Sequence, residues 1–282
     1  MRFAVVGHVE WVEFAVVDRF PAAGEILHAT EPPFAEPGGG GAVAAVQLRR
    51  LAGSALFLTS LGSDAAGAAA REALRGYGVE LHAAVHDLPQ RRAFTHLDGT
   101  HERTITVLGD RHVPLGGDAL PWHLLADCDA VYFTGGDVGA LRHARAARVL
   151  VATPRALGTL AEAGVELDVL VASASDPGER VADGSISPPP RHVVLTEGAG
   201  GGGWTGADGT TGRWAAAEVP GPPVDAYGCG DSFAAGLAFA LGSGLPLSEA
   251  LEVAARCGAW CLAGRGPYGR VLERRSIVGP GS

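Results

Sequence analysis

The sequence predicts an α/β protein with a mostly parallel central sheet that helices cover on both faces. Short apolar runs, each about the length of a buried strand, alternate along the chain with longer amphipathic or alanine-rich segments. That order is expected of parallel strands joined by crossover helices. Two other stretches alternate apolar and polar residues instead, which is typical of strands with one solvent-facing side. We therefore expect a single domain over residues 1–282, with a small antiparallel sheet inserted into it.

Six short apolar runs are predicted to form the buried strands of the central sheet. They are Phe3–Gly7, Ala55–Ser60, Ala130–Thr134, Arg148–Ala152, Val169–Ala172 and His192–Thr196. Six longer segments are predicted to form the helices between and after these strands. They are Val43–Leu51, Ala65–Tyr77, Gly139–Ala147, Arg155–Ala163, Asp231–Gly242 and Leu247–Ala263.

The inserted sheet is predicted from the alternating stretches Glu13–Pro32 and Arg91–Val107. Within the second stretch, the pair Asp98-Gly99 is a signal for a hairpin turn. Insertions of this kind often close over an active site and exclude water from it. We therefore expect a β lid formed by about residues 10–36 and 90–110.

The composition of the chain excludes several kinds of chemistry. It has 31 acidic and 22 basic residues, a formal net charge of −9, and every basic residue is an arginine. Without lysine it has neither the lysine of a P-loop, nor that of a protein kinase, nor a Schiff-base lysine for pyridoxal phosphate. The acidic balance gives no support for binding nucleic acid or an anionic membrane surface.

Neither a membrane segment nor a metal-hydrolase centre is predicted. The apolar run Phe233–Leu245 is short for a bilayer and is interrupted by glycine. The first residues lack a charged region before an apolar stretch, so no signal peptide is predicted and we expect a cytoplasmic protein. Cys257 and Cys261 lie four residues apart on a predicted helix and are expected to be buried apolar side chains. The ten histidines show no His-x-x-x-His pair on a predicted helix with an acidic residue nearby.

The segment from Asp225 to Phe233 carries the strongest chemical signal. Gly228 and Gly230 precede Asp231 where a helix is predicted to begin. The unpaired amides of a first helical turn, together with the helix dipole, favour an anion at that position. Negative charge gathers at such a position in phosphoryl transfer, and an adjacent carboxylate can accept the proton of an attacking hydroxyl. An aspartate after glycine is also a common helix cap, so the residues alone leave both roles open for Asp231.

This segment resembles the C-terminal signature of the ribokinase-like (PfkB) carbohydrate kinase family, usually Asp-Thr-x-Gly-Ala-Gly-Asp-x-Phe. The matching anchors are Asp225, Gly228, Gly230, Asp231 and Phe233, whereas Ala226 and Cys229 replace the usual threonine and alanine. The resemblance implies a ribokinase-like three-layer sandwich with a mostly parallel central sheet and a small antiparallel β lid. It implies ATP and Mg²⁺ as cofactors and Asp231 as the catalytic base. It also implies an anion hole formed by Gly228, Cys229 and Gly230.

Other motifs extend the resemblance over nearly the whole chain. Pro37–Ala44 resembles the N-terminal signature, in which a pair of glycines, here Gly38 and Gly39, approaches the sugar. Taken without the family, its run of four glycines indicates a flexible loop. Gly62–Gly67 resembles the family's Gly-x-Asp-x-x-Gly, and we interpret its Asp64 as a structural helix cap.

The nucleotide is expected on the other side of the cleft. Thr196–Gly201 follows a buried strand and resembles the family's Thr-x-Gly-x-x-Gly, which implies contacts from Thr196, Gly198 and Gly201. The resemblance places Gly258 in another wall of the adenine pocket and assigns Asp225 to the cofactor side as well.

Three further residues are candidates for binding the substrate. Glu10 stands where ribokinase has an asparagine, and strand alternation turns Glu10 toward the site and Glu13 away. Arg103 lies in a Glu-Arg-Thr sequence that resembles the family's lid strand, and it either touches substrate or phosphate or is solvated. Because the chain has no lysine, any side-chain cation at the transferred phosphate must be an arginine, with Arg103 the first candidate. Asp137 either contacts a sugar hydroxyl at the carboxyl edge of the sheet or caps the next helix, and we favour the cap.

The family's Asn-x-x-Glu motif, which orders water around Mg²⁺, is altered. Either Ser173-x-x-Asp176 or Asp176-x-x-Glu179 stands in its place, and Asp176 is equally well explained as a helix cap. Val12, Gly40 and Val43 replace an aspartate, a lysine and an asparagine of ribokinase. A site that binds hydroxyls loses much of its discrimination without such contacts, which argues against ribose as the substrate.

The sequence thus predicts an ATP- and Mg²⁺-dependent phosphotransferase acting on a hydroxyl of a small carbohydrate. A nucleoside kinase, with Trp11, Phe14 and Phe34 near the base, and a non-catalytic sugar- or nucleotide-binding protein are the alternatives. The family also suggests a homodimer formed through the lid. It further suggests a monovalent cation such as K⁺, held by carbonyl groups near Asp225 and Gly264–Gly269.

Overall fold

The computed structural model describes residues 1–99 and 103–277. They form a β lid and a three-layer sandwich, in which the central sheet lies between two layers of helices. The strands are β1 Phe3–Val6, β2 Glu10–Val16, β3 Phe34–Gly38, β4 Leu56–Gly62, β5 Glu80–His86, β6 Arg92–Leu97, β7 Arg103–Leu108, β8 Ala130–Phe133, β9 Val149–Ala152, β10 Val169–Ser173, β11 His192–Thr196, β12 Gly202–Gly206 and β13 Thr211–Trp214. The α-helices are α1 Gly39–Ala52, α2 Ala65–Gly76, α3 Val138–Ala144, α4 Leu157–Ala163, α5 Cys229–Gly242, α6 Leu247–Leu262 and α7 Arg274–Ile277. Single turns of 3-10 helix cover Trp122–Asp127, Pro154–Ala156, Pro177–Glu179 and Gly198–Gly200.

The central sheet has nine strands in the order β13-β12-β11-β10-β9-β8-β1-β4-β5. Every pairing from β11 to β5 is parallel. At the edge, β12 pairs antiparallel with β11, and β13 pairs antiparallel with β12. The predicted α/β class with a mostly parallel sheet is confirmed. The sequence did not reveal β5, β12 and β13, because they lie at the two edges and are partly exposed or glycine-rich.

Buried apolar side chains cover both faces of this sheet, as a parallel sheet requires. On one face α1, α2, α5 and α6 pack over residues such as Phe3 and Phe57. On the other face α3, α4 and the 3-10 turn Trp122–Asp127 pack over residues such as Leu58 and Phe133. Each fully buried leucine or phenylalanine contributes about 1.5–3 kcal/mol, so these two cores account for most of the stability of the fold.

The lid is a four-stranded sheet in the order β3-β2-β6-β7. The β2–β3 and β6–β7 pairings are antiparallel, as expected. The lid strands lie close to the predicted ranges 10–36 and 90–110, although β3 ends at Gly38, two residues beyond the first range. The central β2–β6 pairing is parallel. It is parallel because the chain leaves the lid after β3, passes through α1, β4, α2 and β5, and re-enters the lid in the direction of β2.

The largest difference in an element boundary concerns the glycine run. α1 begins at Gly39, four residues before the predicted start, so three of the four glycines form its first turn instead of a loop. The turn tolerates glycine because α1 packs closely on the strands below it and Gly41 faces the His8 carbonyl at 2.6 Å from where a Cβ would stand. The glycines therefore permit a close approach of backbone to backbone.

None of the helices within residues 1–99 and 103–277 is long and apolar enough to cross a bilayer. Cys257 and Cys261 are fully buried, which confirms their predicted place in the core. All four cysteines are free thiols.

Candidate active site

The candidate site lies where the strand order of the central sheet reverses. After β1 the chain moves to β4 and β5 on one side, and it later returns to β8 and β9 on the other side. A crevice forms at the carboxyl ends of strands at such a reversal, and ligands bind there in open α/β sheets. Gly7 and His8 follow β1 and Thr134 follows β8, and the Thr134 amide donates to the Val6 carbonyl at 2.8 Å.

Two long helices begin at this crevice and point their positive ends into it. The first turn of α1 is formed by Gly39, Gly40 and Gly41, and the first turn of α5 contains Asp231. A Cβ at Gly40 would lie only 2.7 Å from Asp231 Oδ1. The two helix N-termini therefore almost touch, and the absence of a side chain at Gly40 leaves room beside the Asp231 carboxylate.

The start of α5 has the geometry of an anion cradle. Gly228 is the N-cap, with φ of 82° in the left-handed region that favours glycine. The amides of Cys229, Gly230 and Asp231 follow it in the first turn, where the helix itself supplies no acceptor. Apart from its chain neighbours and the backbone of its own helix, no atom lies within 4 Å of a Cβ built on Gly230, so this side of the first turn is open. The predicted anion hole and Asp231 are thus adjacent.

The environment of Asp231 raises its pKa to about 6. Burial is the main cause, and the negative charges of Glu179 and Glu10 act in the same direction, whereas Arg155 and Arg103 oppose it. A carboxylate with a pKa near neutrality is a better proton acceptor than an ordinary aspartate and is still largely ionised at pH 7. Asp231 therefore has the properties of a general base.

Asp225 is fully buried and fixes the loops around the cradle. One carboxylate oxygen accepts the Tyr227 amide at 2.8 Å, and the other accepts the Gly266 amide at 2.9 Å. Burial raises the pKa of Asp225, and these two hydrogen bonds oppose the shift. Both oxygens are used inside the protein, so the structure places Asp225 beneath the cradle, where it orients the loop leading into α5.

A network of polar side chains lines the floor of the crevice next to α1. Glu10 is buried, and its Oε1 lies 2.9 Å from Arg91 Nε and 3.7 Å from His8 Nε2. Glu13 faces outward and pairs with Arg92. The strand alternation thus orients Glu10 and Glu13 as predicted. Burial raises the pKa of Glu10, and the positive charges of Arg91 and Arg111 oppose that shift.

Arg111 ties the ends of three central strands together. Its guanidinium donates to His8 Nδ1 at 2.8 Å, to the Thr134 carbonyl at 2.5 Å and to the Arg155 carbonyl at 2.9 Å. These three residues follow β1, β8 and β9. Arg111 itself lies in the irregular segment after β7, so this contact also fixes the return of the chain from the lid to the body.

Arg103 stands at the start of the exposed lid strand β7. Its positive charge lowers the pKa values of Asp231 and Asp225, so its guanidinium lies within electrostatic reach of both carboxyl groups. Glu102, which precedes it in the lid motif, lies outside the described residues. The lid therefore brings one cation toward the base and the anion cradle.

The predicted nucleotide residues lie on the opposite side of α5. Thr196 ends β11, its hydroxyl donates to the Ala172 carbonyl at 3.3 Å, and Gly198 and Gly201 form the turn that follows. A Cβ at Gly258 would lie 3.3 Å from the Cys229 carbonyl, so α6 packs against the first turn of α5. The structure brings these residues to the same edge of the sheet as the anion cradle.

Asp176 and Glu179 are held by Arg155. Arg155 Nε donates to Glu179 Oε1 at 2.9 Å, and the same guanidinium pairs with Asp176. Glu179 Oε2 accepts the Ser173 amide at 2.8 Å, and Asp176 Oδ1 accepts the Gly178 amide at 2.8 Å. Asp176 is therefore the N-cap of the 3-10 turn that contains Glu179, which was one of its two predicted roles.

These carboxylates do not fit a direct Mg²⁺ site. Mg²⁺ is bound by oxygen ligands with a full octahedral shell, and here Arg155 and backbone amides already occupy the carboxylate oxygens. Nor do residues 1–99 and 103–277 contain any group of three or more His, Cys, Asp or Glu arranged to hold a metal ion. Asp176 and Glu179 thus remain only predicted contributors to the water shell of an ion that arrives with the nucleotide.

Asp137 is the N-cap of α3. Its Oδ1 accepts the Ala140 amide at 2.8 Å and the Gly116 amide at 2.7 Å. This is the capping role that the sequence favoured, and the carboxylate also joins α3 to the preceding loop. Both of these hydrogen bonds of the Asp137 carboxylate are directed into the protein.

The replacements at Val12 and Val43 form a small apolar cluster between lid and body. Both valines are buried with Phe14 and Tyr227. The Tyr227 hydroxyl accepts the Gly39 amide at 3.1 Å, and Gly38 has no room for a Cβ because Val12 and this hydroxyl press against it. Positions that carry polar sugar contacts in ribokinase therefore serve packing in this chain.

Sequence reasoning missed the side chains that surround Glu10. His8 and Thr134 follow the two central strands at the reversal, so the carboxyl-edge rule applied to those strands would have indicated them. Arg155 follows β9 in the same way. Arg91 and Arg111 lie in irregular segments next to lid strands, and the sequence offers no pattern that points to them.

Comparisons with known proteins identify the family and the fold of the chain. The chain matches the profile of the family described as pfkB family carbohydrate kinase over residues 2–156 and 166–273. Its structure resembles a ribokinase from Thermotoga maritima with a TM-score of 0.79 and 20% identity, covering 99% of this chain and 98% of the other. A ribokinase from Arabidopsis thaliana complexed with ribose and ATP gives 0.75 and 20%, covering 98% and 97%.

A nucleoside kinase from Methanocaldococcus jannaschii also has the same fold, with a TM-score of 0.72 and 16% identity, covering 99% of this chain and 97% of the other. No curated protein matches the sequence. The solved structures therefore establish a ribokinase-like fold, and the family profile covers most of the chain.

Proposed function

Because the chain belongs to the pfkB family of carbohydrate kinases, we propose that it transfers the γ-phosphoryl group of ATP to a hydroxyl of a small carbohydrate. The observation that carries this proposal is the placement of Asp231, whose pKa of about 6 suits a base, beside an open cradle of helix N-terminal amides. A kinase needs a base for the hydroxyl and a stabiliser for the transferred phosphate at one point.

Asp231 accepts the proton of the acceptor hydroxyl as its oxygen attacks the γ-phosphorus in line. The amides of Cys229, Gly230 and Asp231 donate hydrogen bonds to the oxygens of the transferred group, where negative charge develops. Mg²⁺ enters as part of the MgATP substrate and shields the phosphate charge. Arg103 on the lid adds a positive charge, and the lid excludes water that would otherwise hydrolyse ATP.

We assign the nucleotide to the side of α5 that faces Thr196, Gly198 and Gly201, with Gly258 in the adjoining wall. The Arabidopsis thaliana ribokinase was solved with ribose and ATP, and its fold covers this chain almost completely. Similarity of fold is the support for this assignment. Nucleotide binding is tested directly by a fluorescence or calorimetric titration with ATP and ADP.

A carbohydrate acceptor is favoured over a nucleoside by the packing of two lid aromatic residues, Phe14 and Phe34. Phe14 stacks on Phe34 with 4.7 Å between ring centroids, and Phe14 meets Tyr227 edge to face at 5.1 Å. Arg265 lies over the Phe34 ring at 4.3 Å. These rings join the lid to the body, so they are not free to stack on a base.

The deciding experiment is to measure ADP release with MgATP and a panel of neutral sugars, sugar acids, sugar phosphates and nucleosides. Release with a carbohydrate supports the proposal, and release only with nucleosides supports the nucleoside alternative. ATP binding without ADP release from any acceptor would instead indicate a non-catalytic nucleotide-binding protein.

Two further predictions concern assembly and ions. The outer lid strand β7 is exposed along its length, including Ile105 and Val107, and an unpaired edge strand of this kind often pairs with a second copy. We expect a homodimer through the lid, which sedimentation equilibrium measures directly. The monovalent cation predicted near Asp225 is tested by replacing K⁺ with Na⁺ or tetramethylammonium in the ADP assay.

A further inference from the structure

Arg155 lies in the middle of the carboxyl edge of the central sheet. The strands at this edge run in the order β11-β10-β9-β8-β1, and Arg155 follows β9. Thr196 ends β11 on the side assigned to the nucleotide, and Glu10, a predicted substrate residue, lies just after β1. A group that passes from a nucleotide to an acceptor has to lie between these two sides. Arg155 occupies the stretch of the edge between them.

Two carboxylates hold the Arg155 guanidinium but leave one of its nitrogens unused. Nε donates to Glu179 Oε1 at 2.9 Å, and Nη2 pairs with Asp176. Nη1 carries two further N–H groups, and within residues 1–99 and 103–277 neither of them makes a hydrogen bond. The side chain is 52% exposed, so a ligand can reach the guanidinium.

The backbone of Arg155 is fixed from two sides. Its amide donates to Thr153 Oγ1 at 3.4 Å, which caps the 3-10 turn Pro154–Ala156. Its carbonyl accepts Arg111 Nη1 at 2.9 Å, and the Arg111 guanidinium also donates to the Thr134 carbonyl. Both the backbone and the guanidinium of Arg155 are therefore held in place within the protein. A cation that is positioned in advance stabilises developing negative charge without a cost of reorganisation.

The charge of Arg155 acts on the candidate base. Burial of Asp231 and the negative charges of Glu179 and Glu10 raise its pKa. Arg155 and Arg103 lower this pKa, and the effect of Arg155 is the larger of the two. Because Coulomb interactions decline with distance, a guanidinium with this effect also acts on an anion in the adjacent cradle of α5 amides.

Arg191 forms a similar cluster at the other edge of the sheet. It is 58% exposed and also pairs with two carboxylates, but it precedes β11 and therefore lies away from the crevice. Its Nε and Nη2 donate to Glu166, and its Nη1 pairs with Asp168. All three nitrogens of Arg191 are thus used within the protein. Arg155 differs in facing the crevice with one nitrogen unused.

We propose that Arg155 is a further catalytic residue, whose Nη1 donates hydrogen bonds to an oxygen of the phosphoryl group that leaves ATP. Asp176 and Glu179 are positioning residues for its guanidinium, which accounts for their poor fit to a direct Mg²⁺ site. The acceptor oxygen bonds to the γ-phosphorus, the bond to the β-phosphate oxygen breaks, and ADP leaves with that electron pair while Asp231 takes the hydroxyl proton. Arg155 stays protonated and offsets the charge on the transferred group. This inference rests on the proposed kinase function.

The first test compares Arg155→Gln with Arg191→Gln in the ADP assay, using the best acceptor of the panel. We expect Arg155→Gln to lower kcat about 10²–10³-fold and to change the acceptor KM less than threefold. Arg191→Gln removes the same charge from the same kind of cluster and should keep kcat within twofold of the wild type. A wild-type kcat in Arg155→Gln, or an equal loss in Arg191→Gln, overturns the inference and leaves the kinase function intact.

The second test measures binding without turnover. The analogue β,γ-imido-ATP contains a γ-phosphoryl group and ADP does not, so calorimetric titration with both, in the presence of Mg²⁺, isolates contacts to that group. We expect Arg155→Gln to weaken binding of the analogue about tenfold and binding of ADP less than twofold. Equal effects on the two ligands overturn the inference.

Arg155→Lys provides a test that does not depend on losing both ion pairs at once. A lysine keeps the positive charge beside Asp176 and Glu179, but its single ammonium group cannot reproduce the fork of the guanidinium. Its kcat should lie at least fivefold below the wild type and at least fivefold above Arg155→Gln, with circular dichroism showing that each variant is folded. A folded Arg155→Lys with the wild-type kcat, or with a kcat no higher than that of folded Arg155→Gln, overturns the inference. No ADP release from any acceptor with the wild-type protein overturns the proposed function and this inference with it.

Discussion

The start of α5 and the start of α1 meet in one crevice, yet they are built on different principles. At α5 the groups directed at the crevice are backbone amides and one carboxylate, and the segment matches the family signature at five anchors. At α1 the surrounding groups are side chains from scattered positions, including His8, Glu10 and Arg111. The half of the crevice at α5 can therefore be predicted from one continuous segment, whereas the half at α1 is assembled by the fold from distant segments.

This difference indicates which amino-acid substitutions each half of the crevice can tolerate. Backbone amides need glycine and a helix start, so a substitution such as alanine to Cys229 leaves the cradle intact. Side-chain contacts are lost when the residue changes, and Val12 and Val43 are buried packing residues in this chain. The predictions below separate the two halves, beginning with the largest expected effect.

Asp231→Asn should lower kcat by about 10²–10⁴-fold, because an amide cannot accept the hydroxyl proton. The variant should bind ATP and fold normally. Asp183→Asn, which makes the same change on an exposed loop, should be fully active. Steady-state kinetics measure the loss of kcat, and circular dichroism tests whether the variant is folded. Turnover of Asp231→Asn near the wild-type rate would refute the assignment of the base.

Gly40→Ala should lower kcat by about 10–100-fold by placing a methyl group against the Asp231 carboxylate, 2.7 Å from Oδ1. The variant tests the contact between the two helix starts. Gly158→Ala is the matched control, because Gly158 also lies in a helix and has open space around its Cβ position. That control should be active and as stable as the wild type or slightly more so. Unchanged kcat in Gly40→Ala would mean that the two helix starts act independently.

The pH dependence of kcat/KM should show an acidic limb near pH 6, falling tenfold per pH unit below it, because Asp231 must be ionised to act. The same shift affects stability with a definite sign. A carboxyl whose pKa is raised on folding, from 3.8 to about 6, favours the folded state most below pH 3.8. That contribution is lost as the pH rises through 6.

Asp231→Asn should consequently be more stable than the wild type at pH 8, by about 1–3 kcal/mol, and the difference should vanish near pH 4. Thermal unfolding at the two pH values measures it. A stability difference that does not depend on pH would contradict the raised pKa.

Arg103→Gln should lower kcat about 3–10-fold and move the acidic limb to higher pH, because the Arg103 charge lowers the pKa of Asp231. Removing a partly solvated charge has a smaller effect than removing the base. Arg142→Gln, on the exposed side of α3, is the control for the loss of one positive charge. A pH profile that superposes on the wild type would place Arg103 in solvent, outside the site.

Asp137→Ala should cost about 0.5–2 kcal/mol of stability and leave the acceptor KM unchanged, since Asp137 caps α3. Asp137→Asn should retain most of the stability because asparagine is also a good cap. Chemical denaturation and acceptor kinetics are measured side by side. A raised acceptor KM in a stable Asp137→Asn variant would instead show that Asp137 contacts the substrate.

Individual elements show which parts of the fold could be predicted from the sequence and which could not. β11 occupies His192–Thr196, the predicted range, because its apolar run is bounded on both sides by polar or glycine residues. α1 began four residues early because close packing between backbones, which no propensity includes, made the glycine run helical. The parallel β2–β6 pairing was missed because pairing depends on the path of the chain through the body between the two strands.

The candidate site divides in the same way. Asp231 and its three neighbours were predicted because the chemistry there uses consecutive residues and a helix start. Asp176 and Glu179 were predicted near Mg²⁺, but their pairing with Arg155, 21 and 24 residues earlier, was invisible in the sequence. Glu10 was oriented correctly because strand alternation is a local rule.

The sequence by itself determined the α/β class, the lid, the family and the phosphoryl-transfer motif, because strand and helix periodicity and a helix N-terminal anion cradle depend on residues close in the chain. Only the tertiary structure decided the polar floor of the crevice, where His8, Glu10, Arg91, Arg111 and Arg155 meet. Hydrogen-bond partners, burial and the resulting pKa shifts depend on which distant segments the fold brings within a few ångströms, and that is a property of packing.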